Sequence, residues 1–121
     1  MNTQEIADKL VAYCSEGKWK EAVAELYDPS IVSIEMPGTP FTQRTEGLEG
    51  YAAKSEQWNA MVDELHGVQV SQALVAGDHF CIRMEMDVTM KGQPRKNDPE
   101  LCMYKVKDGK IVSEQFFYPT A

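Results

Sequence analysis

Three segments in the C-terminal third decide the fold: HFCIRMEMDVTM (79–90), ELCMYKV (100–106) and KIVSEQFFY (110–118). Apolar and polar residues alternate along each of them, which is the pattern of a half-buried β-strand. Asp108-Gly109 is a strong signal for a two-residue hairpin, and residues 91–94 form a second turn. The sequence therefore predicts a three-stranded antiparallel meander.

The segments before the meander predict helices first and further strands later. Apolar residues recur at helical spacing after Asn2, up to Gly17, and again from Trp19 to the Asp28-Pro29 break. We expect a strand over 30–36, a third helix over 48–65 that ends at His66-Gly67, and a strand over 68–76. This order predicts one α+β domain over residues 1–121, in which three N-terminal helices wrap a curved, mainly antiparallel sheet.

Composition excludes several classes of function. The chain has 19 acidic and 12 basic side chains, a formal net charge of -7, which disfavours nucleic acid and anionic membranes as partners. Cys14, Cys81 and Cys102 lie far apart, which favours reduced core thiols over disulfides or zinc ligands. The two histidines and scattered acids have no metal-ligand spacing. With a polar N-terminal segment and no long apolar run, the chain is expected to be a soluble, cytoplasmic protein.

Hairpin geometry predicts how the strands of the meander pair. A two-residue turn at Asp108-Gly109 places Tyr104 opposite Ser113, and a four-residue loop at 91–94 places Glu85 opposite Glu100. The predicted apolar face carries Phe80, Ile82, Met84, Met86, Val88, Leu101, Met103, Val112, Phe116 and Tyr118. The predicted mixed face carries Cys81, Arg83, Glu85, Asp87, Glu100, Cys102, Tyr104, Ser113, Gln115 and Phe117.

These two faces predict different roles. The apolar face must pack on the helices or on a second subunit, because exposed it would be a large apolar patch. The mixed face is typical of a ligand cavity, although a simply solvated face is the open alternative. For an organic ligand, Tyr104, Gln115 and Arg83 are candidate polar contacts. Trp58, Phe117 and Tyr13 are candidate apolar walls, with ordinary core packing as the alternative.

Four side chains are candidates for general acid–base chemistry. A glutamate enclosed in a ligand cavity has a raised pKa, which suits a general base, and Glu35, Glu85 and Glu100 are the candidates. The alternatives are an exposed strand end for Glu35 and a structural ion pair with Arg83 for the other two. His66, expected at the end of the third helix, is the fourth candidate, with helix capping as its alternative. No nucleophile elbow or phosphate-binding loop is present.

The order of elements and three segments together resemble the SnoaL-like branch of the nuclear transport factor 2-like (ketosteroid isomerase-like) superfamily. The segments are GKWKEAVAELYDPSIVSIEMPG (17–38), GLEGYAAKSEQWNA (47–60) and YKVKDGKIVSEQFFY (104–118). The resemblance covers essentially the whole chain and implies a cone-shaped α+β barrel. It implies a range of activities, since the family includes polyketide cyclases, ketosteroid isomerases, dehydratases, small epoxide hydrolases and proteins that only bind or associate.

The residues that such isomerases and cyclases use are replaced in this chain. By resemblance, the isomerase base falls on Met36, before Pro37, and its first-helix tyrosine falls on Leu10. The neighbouring Glu35 would point to the opposite side of a regular strand unless a bulge turned it inward. The acid or histidine that cyclases favour near the last strand falls in the region of Glu114, Gln115 and Phe116.

The sequence thus predicts a protein that encloses a small apolar organic ligand with polar groups. It is expected to be a cofactor-independent isomerase, cyclase or dehydratase that uses a buried carboxylate. The alternative is a non-catalytic module that binds a ligand or forms a homodimer through the sheet face.

Overall fold

A computed structural model describes residues 1–120 as three helices and seven strands. The helices are α1 (Thr3–Ser15), α2 (Trp19–Leu26) and α3 (Gly47–Met61). The strands are β1 (Tyr27–Ile34), β2 (Arg44–Glu46), β3 (Val62–Val70), β4 (Leu74–Ala76), β5 (His79–Met90), β6 (Lys96–Lys107) and β7 (Lys110–Phe117). The predicted α+β class is confirmed. Within these residues, no helix has both the length and the apolar character needed to cross a membrane.

One curved, unclosed sheet contains all the strands, and the helices pack on its inner face. The strand order is β2-β1-β7-β6-β5-β3, with β4 paired to the other end of β5. β1 and β7 run parallel, and every other pair is antiparallel. The core lies between the helices and the inner face; its largest fully buried apolar side chains include Ile6, Leu10, Leu26, Phe80, Ile82 and Ile111.

The first helix begins and ends as its sequence predicts. The Asn2 side chain accepts from the Glu5 amide (2.9 Å), and the Glu5 side chain accepts from the Asn2 amide (3.1 Å). This capping box satisfies two backbone donors that the first turn cannot satisfy itself. Gly17, with φ of 69°, follows the helix in a conformation that glycine adopts without steric cost.

The third helix is shorter than predicted, and the strand after it is longer. α3 ends at Met61, so residues 62–65 lie in β3 and His66 is a strand residue, five positions beyond the helix. β3 pairs with the C-terminal half of β5, beginning with Val62 opposite Met90. Valine favours strands, and the backbone pairings of β3 give the C-terminal half of β5 a partner. Together these two effects outweigh the helical spacing of the apolar residues that predicted a helix over 62–65.

The β6–β7 hairpin has the predicted turn, but its predicted register is wrong by one residue. Asp108 and Gly109 both have positive φ (51° and 75°), as a type I′ turn requires. Close to the turn, however, a β-bulge shifts the pairing. Tyr104 therefore lies opposite Glu114 instead of the predicted Ser113.

The predicted register of β5 and β6 is also wrong by one residue. Glu100 lies opposite Met84 and not opposite Glu85, because the loop between the strands is longer than four residues and pairing begins only at Val88 and Lys96. A one-residue slip moves every side chain of a strand to the other face of the sheet. Glu85 and Glu100 therefore lie on different faces of the sheet and do not face each other.

Both predicted faces are consequently wrong as sets, although the apolar residues of β5 do face the helices. The inner face combines residues of β5 and β7 with the β6 residues that were predicted on the opposite face. From β5 it carries Phe80, Ile82 and Met84, from β6 Glu100, Cys102 and Tyr104, and from β7 Ile111, Glu114 and Phe116. The outer face carries Cys81, Arg83, Glu85, Leu101, Met103, Gln115 and Phe117. The inner face is therefore apolar with two glutamates, and the outer face carries exposed apolar residues.

Candidate functional site

A buried polar network joins β1, α3 and β7 inside the cone. Lys54 Nζ donates to Glu35 Oε2 (2.7 Å) and to Ser33 Oγ, and Ser33 Oγ donates in turn to Glu114 Oε1 (3.2 Å). Ser33 and Glu35 share the inner side of β1 because alternate residues of a strand point to the same face. We call these four residues the Lys54 network; it places one ammonium group between two carboxyl groups.

Lys54 is the cation of this network and is only 9 % exposed. It lies on the side of α3 that also carries Tyr51 and Trp58, three and four residues away in sequence. Its Nζ sits 5.1 Å from the centre of the Phe116 ring. A lysine is almost never buried unless its charge is paired, and here Glu35, whose side chain is 10 % exposed, pairs with it directly.

Glu114 is the deepest carboxyl group of the network, at 1 % exposure. Burial raises its pKa to about 7, against the opposing effects of Lys54 and of hydrogen bonds from Tyr27 and Ser33. The Tyr27 hydroxyl donates to Glu114 Oε2 (2.9 Å). The bulge in the β6–β7 hairpin is what turns Glu114 inward, opposite Tyr104 on the inner face.

A cleft of about 440 Å³ lies at the rim of the sheet, beside the Lys54 network. Its walls combine apolar and aromatic side chains with a few ionisable groups: Met36, Arg83, Pro99, Glu100, Leu101, Phe117, Tyr118 and Pro119. We call it the rim cleft. A mostly apolar concavity with a few polar groups is the usual form of a small-molecule site.

Glu100 is the ionisable group of the rim cleft that has no cation in contact with it. Its pKa is raised to about 7, chiefly by burial and also by the charge of Glu35, while a hydrogen bond from Cys102 and the charge of Lys54 oppose the rise. Among residues 1–120, the only side chain that donates to it is Cys102, whose Sγ lies 3.4 Å from Glu100 Oε1. A carboxyl group with a pKa near neutrality can both accept and donate a proton at physiological pH.

Tyr118 connects the rim cleft to the Lys54 network. Its hydroxyl donates to Glu35 Oε1 (2.7 Å), the carboxylate that Lys54 holds from the other side. Burial, together with that hydrogen bond, raises the pKa of Tyr118 to about 12. Glu35 faces inward, and the pairing of β1 with β7 upstream of it has a register irregularity between Tyr27 and Val32. The Glu35 amide donates to the Gln43 carbonyl (2.8 Å), which extends the β1–β2 pairing.

The structure brings Glu35 and Glu100 together but places the other two predicted acid–base residues elsewhere. Glu85 lies on the outer face, where Arg83 Nη1 is 2.5 Å from its Oε1. This separates Glu85 from Glu100 and makes it the structural ion pair that the sequence analysis held as the alternative. His66 lies in β3 with its Nδ1 3.0 Å from Glu64 Oε2, so the argument from a helix end does not apply to it.

The predicted ligand-binding residues are also divided between locations. Arg83 and Phe117 line the rim cleft from the outer side of the sheet. Tyr104 is fully inside and stacks on Phe80, with ring centres 4.9 Å apart. Gln115 is exposed on the outer face, and Tyr13 lies between the first two helices, where its hydroxyl donates to Glu25.

Trp58 lies on α3 and packs against Phe41 at 6.5 Å between ring centres. It is near the loop after β1 and has no place among the residues that line the rim cleft.

Sequence reasoning missed Ser33, Lys54, Glu114 and Tyr118 as site residues. A signal existed for Lys54, because a lysine shares a helix face with two aromatic residues, and for Ser33, because it precedes Glu35 by two positions in a strand. Glu114 gave no such signal: it alternates with Phe116, which puts it on the predicted apolar face, and its partners Tyr27 and Ser33 lie more than 80 residues away in the chain.

The chain belongs to the SnoaL-like domain family, whose model matches residues 1–118. It is similar to the crystal structure of a proposed SnoaL-like polyketide cyclase from Mesorhizobium loti, with 33 % identity and a TM-score of 0.90. That match covers 98 % of this chain and 100 % of the other. The predicted family is therefore confirmed.

More distant solved structures share the fold. A protein of unknown function from Xanthomonas campestris, with a cystatin-like fold, has 16 % identity and a TM-score of 0.84 over 99 % of this chain and 92 % of its own. A protein from Catenulispora acidiphila with a ketosteroid isomerase-like fold, in complex with trimethylamine, has 22 % identity and a TM-score of 0.73 over 97 % and 87 %. A search of the curated proteins found no match to this chain.

Proposed function

We propose that this protein binds a small, mostly apolar organic ligand in the rim cleft and that Glu100 exchanges a proton with it. The observation that carries the proposal is the position of Glu100: the residue lines the rim cleft, its side chain faces inward where the charges of Glu35 and Lys54 act on it, and among residues 1–120 a thiol is its one side-chain donor. The structural neighbour that holds trimethylamine shows that a protein with this fold can take up a small organic molecule.

The reaction class that fits this arrangement is proton transfer without a cofactor, as in an isomerisation, cyclisation or dehydration. Glu100 would act as general base and then as general acid, since its pKa of about 7 allows both forms near neutral pH. Glu35 would remain the partner of Lys54 and would orient Tyr118 at the cleft wall.

Replacing Glu100 by glutamine should abolish proton exchange but leave ligand binding largely intact. A thermal-shift screen of uncharged and charged organic compounds first identifies ligands, because a ligand that binds only the folded state raises the melting temperature. Each ligand is then incubated with the protein in D2O, and deuterium uptake at carbon is followed by mass spectrometry. Loss of a positioned general base is expected to slow the exchange by about 100-fold or more.

Glu85→Gln is the matched control, because Glu85 is a glutamate of the neighbouring strand that lies outside the cleft. Its exchange rate should stay within about twofold of the wild type. Equal exchange rates in Glu100→Gln and wild type would refute the catalytic role. A ligand that binds without any exchange in the wild type would favour a pure binding protein.

The second candidate function is association with another copy of the chain through the outer sheet face. Leu101, Met103 and Phe117 are 53 %, 41 % and 43 % exposed there, and Leu101 lies directly opposite Phe117. Large apolar side chains that are adjacent and exposed often mark a protein interface. Leu101 and Phe117 also line the rim cleft, so a second copy on this face would lie against the outer wall of the cleft.

Introducing a charge at Met103 should convert such a homodimer to monomers. Sedimentation velocity is expected to give twice the 13.6 kDa chain mass for the wild type and the single-chain mass for Met103→Lys. Leu48→Lys, at an exposed leucine of α3, should remain dimeric and is the control. A wild type that sediments as a monomer at high concentration would rule out the association.

A further inference from the structure

A continuous chain of hydrogen bonds links Glu114, in the centre of the fold, to the wall of the rim cleft. Ser33 donates to Glu114, Lys54 donates to Ser33 and to Glu35, and Tyr118 donates to Glu35. Each of the four contacts joins a different pair of side chains, and Tyr118 itself lines the cleft.

The direction of these bonds depends on the charge of Glu114. As a carboxylate, Glu114 accepts at both oxygens, from Ser33 and from Tyr27. A protonated carboxyl group keeps acceptor capacity but carries an O–H that needs an acceptor, and both present partners of Glu114 are donors, so protonation favours the reversal of one of those two bonds. If the bond to Ser33 reverses, the serine hydroxyl must accept from Glu114 while Lys54 also donates to it, and its own proton loses its acceptor.

We propose that Glu114 is a positioning residue for the rim cleft, whose protonation is transmitted through Ser33, Lys54 and Glu35 to the Tyr118 hydroxyl at the cleft wall. Lys54 is the one buried cation among residues 1–120, so the two carboxyl groups share it. When Glu114 is charged, it competes with Glu35 for this ammonium group. When Glu114 is neutral, Lys54 is released to Glu35, and the hydrogen bond from Tyr118 to Glu35 changes with it.

Among Glu114 and the groups around it, Glu114 is the one that changes charge near neutral pH. Burial raises its pKa to about 7, and burial likewise raises the pKa values of the phenols and thiols that face it, which therefore stay neutral. The titratable groups that face Glu114 are Tyr27 of β1, Glu35 just after β1, Lys54 and Tyr51 of α3, Cys102 and Tyr104 of β6, and Cys14 of α1. Of these, Lys54 and Glu35 form the ion pair.

The significance for regulation rests on the proposed ligand function of the rim cleft, but the coupling can be measured without a ligand. Protein with ¹³C at the ζ carbon of its five tyrosines reports hydrogen bonding at each phenol by NMR, and Tyr118→Phe identifies the resonance of Tyr118. In the wild type, this resonance should shift with a midpoint near pH 7. The shift should be absent in Glu114→Gln.

Two further variants test the route and the source of the shift. Ser33→Ala keeps every charge but removes the link between Lys54 and Glu114, so the amplitude should fall at least threefold. Glu100→Gln should retain most of the shift, because Glu100 titrates in the same range and its charge acts on Glu35, but it lies outside the hydrogen-bond chain. Full amplitude in Ser33→Ala, or loss of the shift in Glu100→Gln, would overturn the proposal.

If Glu114→Gln does not fold, the Ser33→Ala and Glu100→Gln spectra alone decide the question. The outcome is also separable from that of the proposed function. A rim cleft that binds no ligand would refute the function and leave the titration of Tyr118 as expected. Ligand binding without any Tyr118 titration in the wild type would refute only the coupling.

Discussion

Replacing Lys54 by methionine should lower the free energy of unfolding by about 3–5 kcal/mol at pH 8, the usual cost of removing one partner from a buried ion pair. Methionine preserves the length and most of the packing of the lysine stem on Phe116, so the change mainly removes the charge. The Glu35 carboxylate would then remain inside the fold without its cation, and Ser33 would lose a donor. Urea unfolding monitored by tryptophan fluorescence measures the loss.

Lys9→Met provides the matched control. Lys9 also pairs with a glutamate, Glu25, but the lysine side chain is 51 % exposed, so water replaces the lost contact and little change in stability is expected. The penalty for Lys54→Met should become smaller at pH 5, because protons can then neutralise the buried carboxylates. An equal, small effect of both substitutions would show that the Lys54 network contributes no more than a surface pair.

The fold could be predicted from the sequence because its signals are local. The capping box of Asn2 and Glu5 and the type I′ turn at Asp108-Gly109 each depend on residues within a few positions of one another. The resemblance to the SnoaL-like family then supplied the arrangement of helices around the sheet. Neither the local signals nor the resemblance shows whether a strand contains a β-bulge or how many residues a loop between two strands has.

The site was less predictable, because its composition depends on strand register. One bulge brings Glu114 to the inner face, and one residue of slip between β5 and β6 brings Glu100 to it and leaves Glu85 outside. Alternation along one strand shows which of its own residues point the same way. It does not show which residues of the neighbouring strand lie on that same face of the sheet, because this depends on the register between the strands. Glu100 was therefore a correct candidate placed beside the wrong neighbours.

Lys54 shows a second limit of reading a sequence for patterns. Hydrophobic periodicity treats a lysine as a solvent-facing residue, and α3 has only a weakly apolar face, so the one signal was the position of Lys54 beside Tyr51 and Trp58, which does not show what holds its ammonium group in the interior. Its partners Ser33, Glu35 and Glu114 come from strands more than 15 residues away in the chain. Such a cluster becomes visible only when the strands are assembled.

The stability of the folded protein should fall as the pH rises from about 5 to 8.5, and Glu114→Gln should remove much of that fall. Burial raises the pKa of Glu114 from 4.5 to about 7, so the folded chain binds its proton more tightly than the unfolded chain does. The stabilisation is complete below pH 4.5 and is lost as the pH rises through 7. At about 1.4 kcal/mol per pKa unit, this group contributes on the order of 3 kcal/mol to the change.

Glutamine keeps the shape of Glu114 but remains neutral. At pH 5 the variant and the wild type should therefore unfold at similar urea concentrations, and at pH 8.5 the variant should be more stable than the wild type. Glu85→Gln, at an outer-face ion pair, should follow the wild-type profile and is the control. A wild type whose stability is constant or increases over this range would contradict the buried position of Glu114. In Lys54→Met the fall should extend to higher pH, because Lys54 is the cation that lowers the pKa of Glu114.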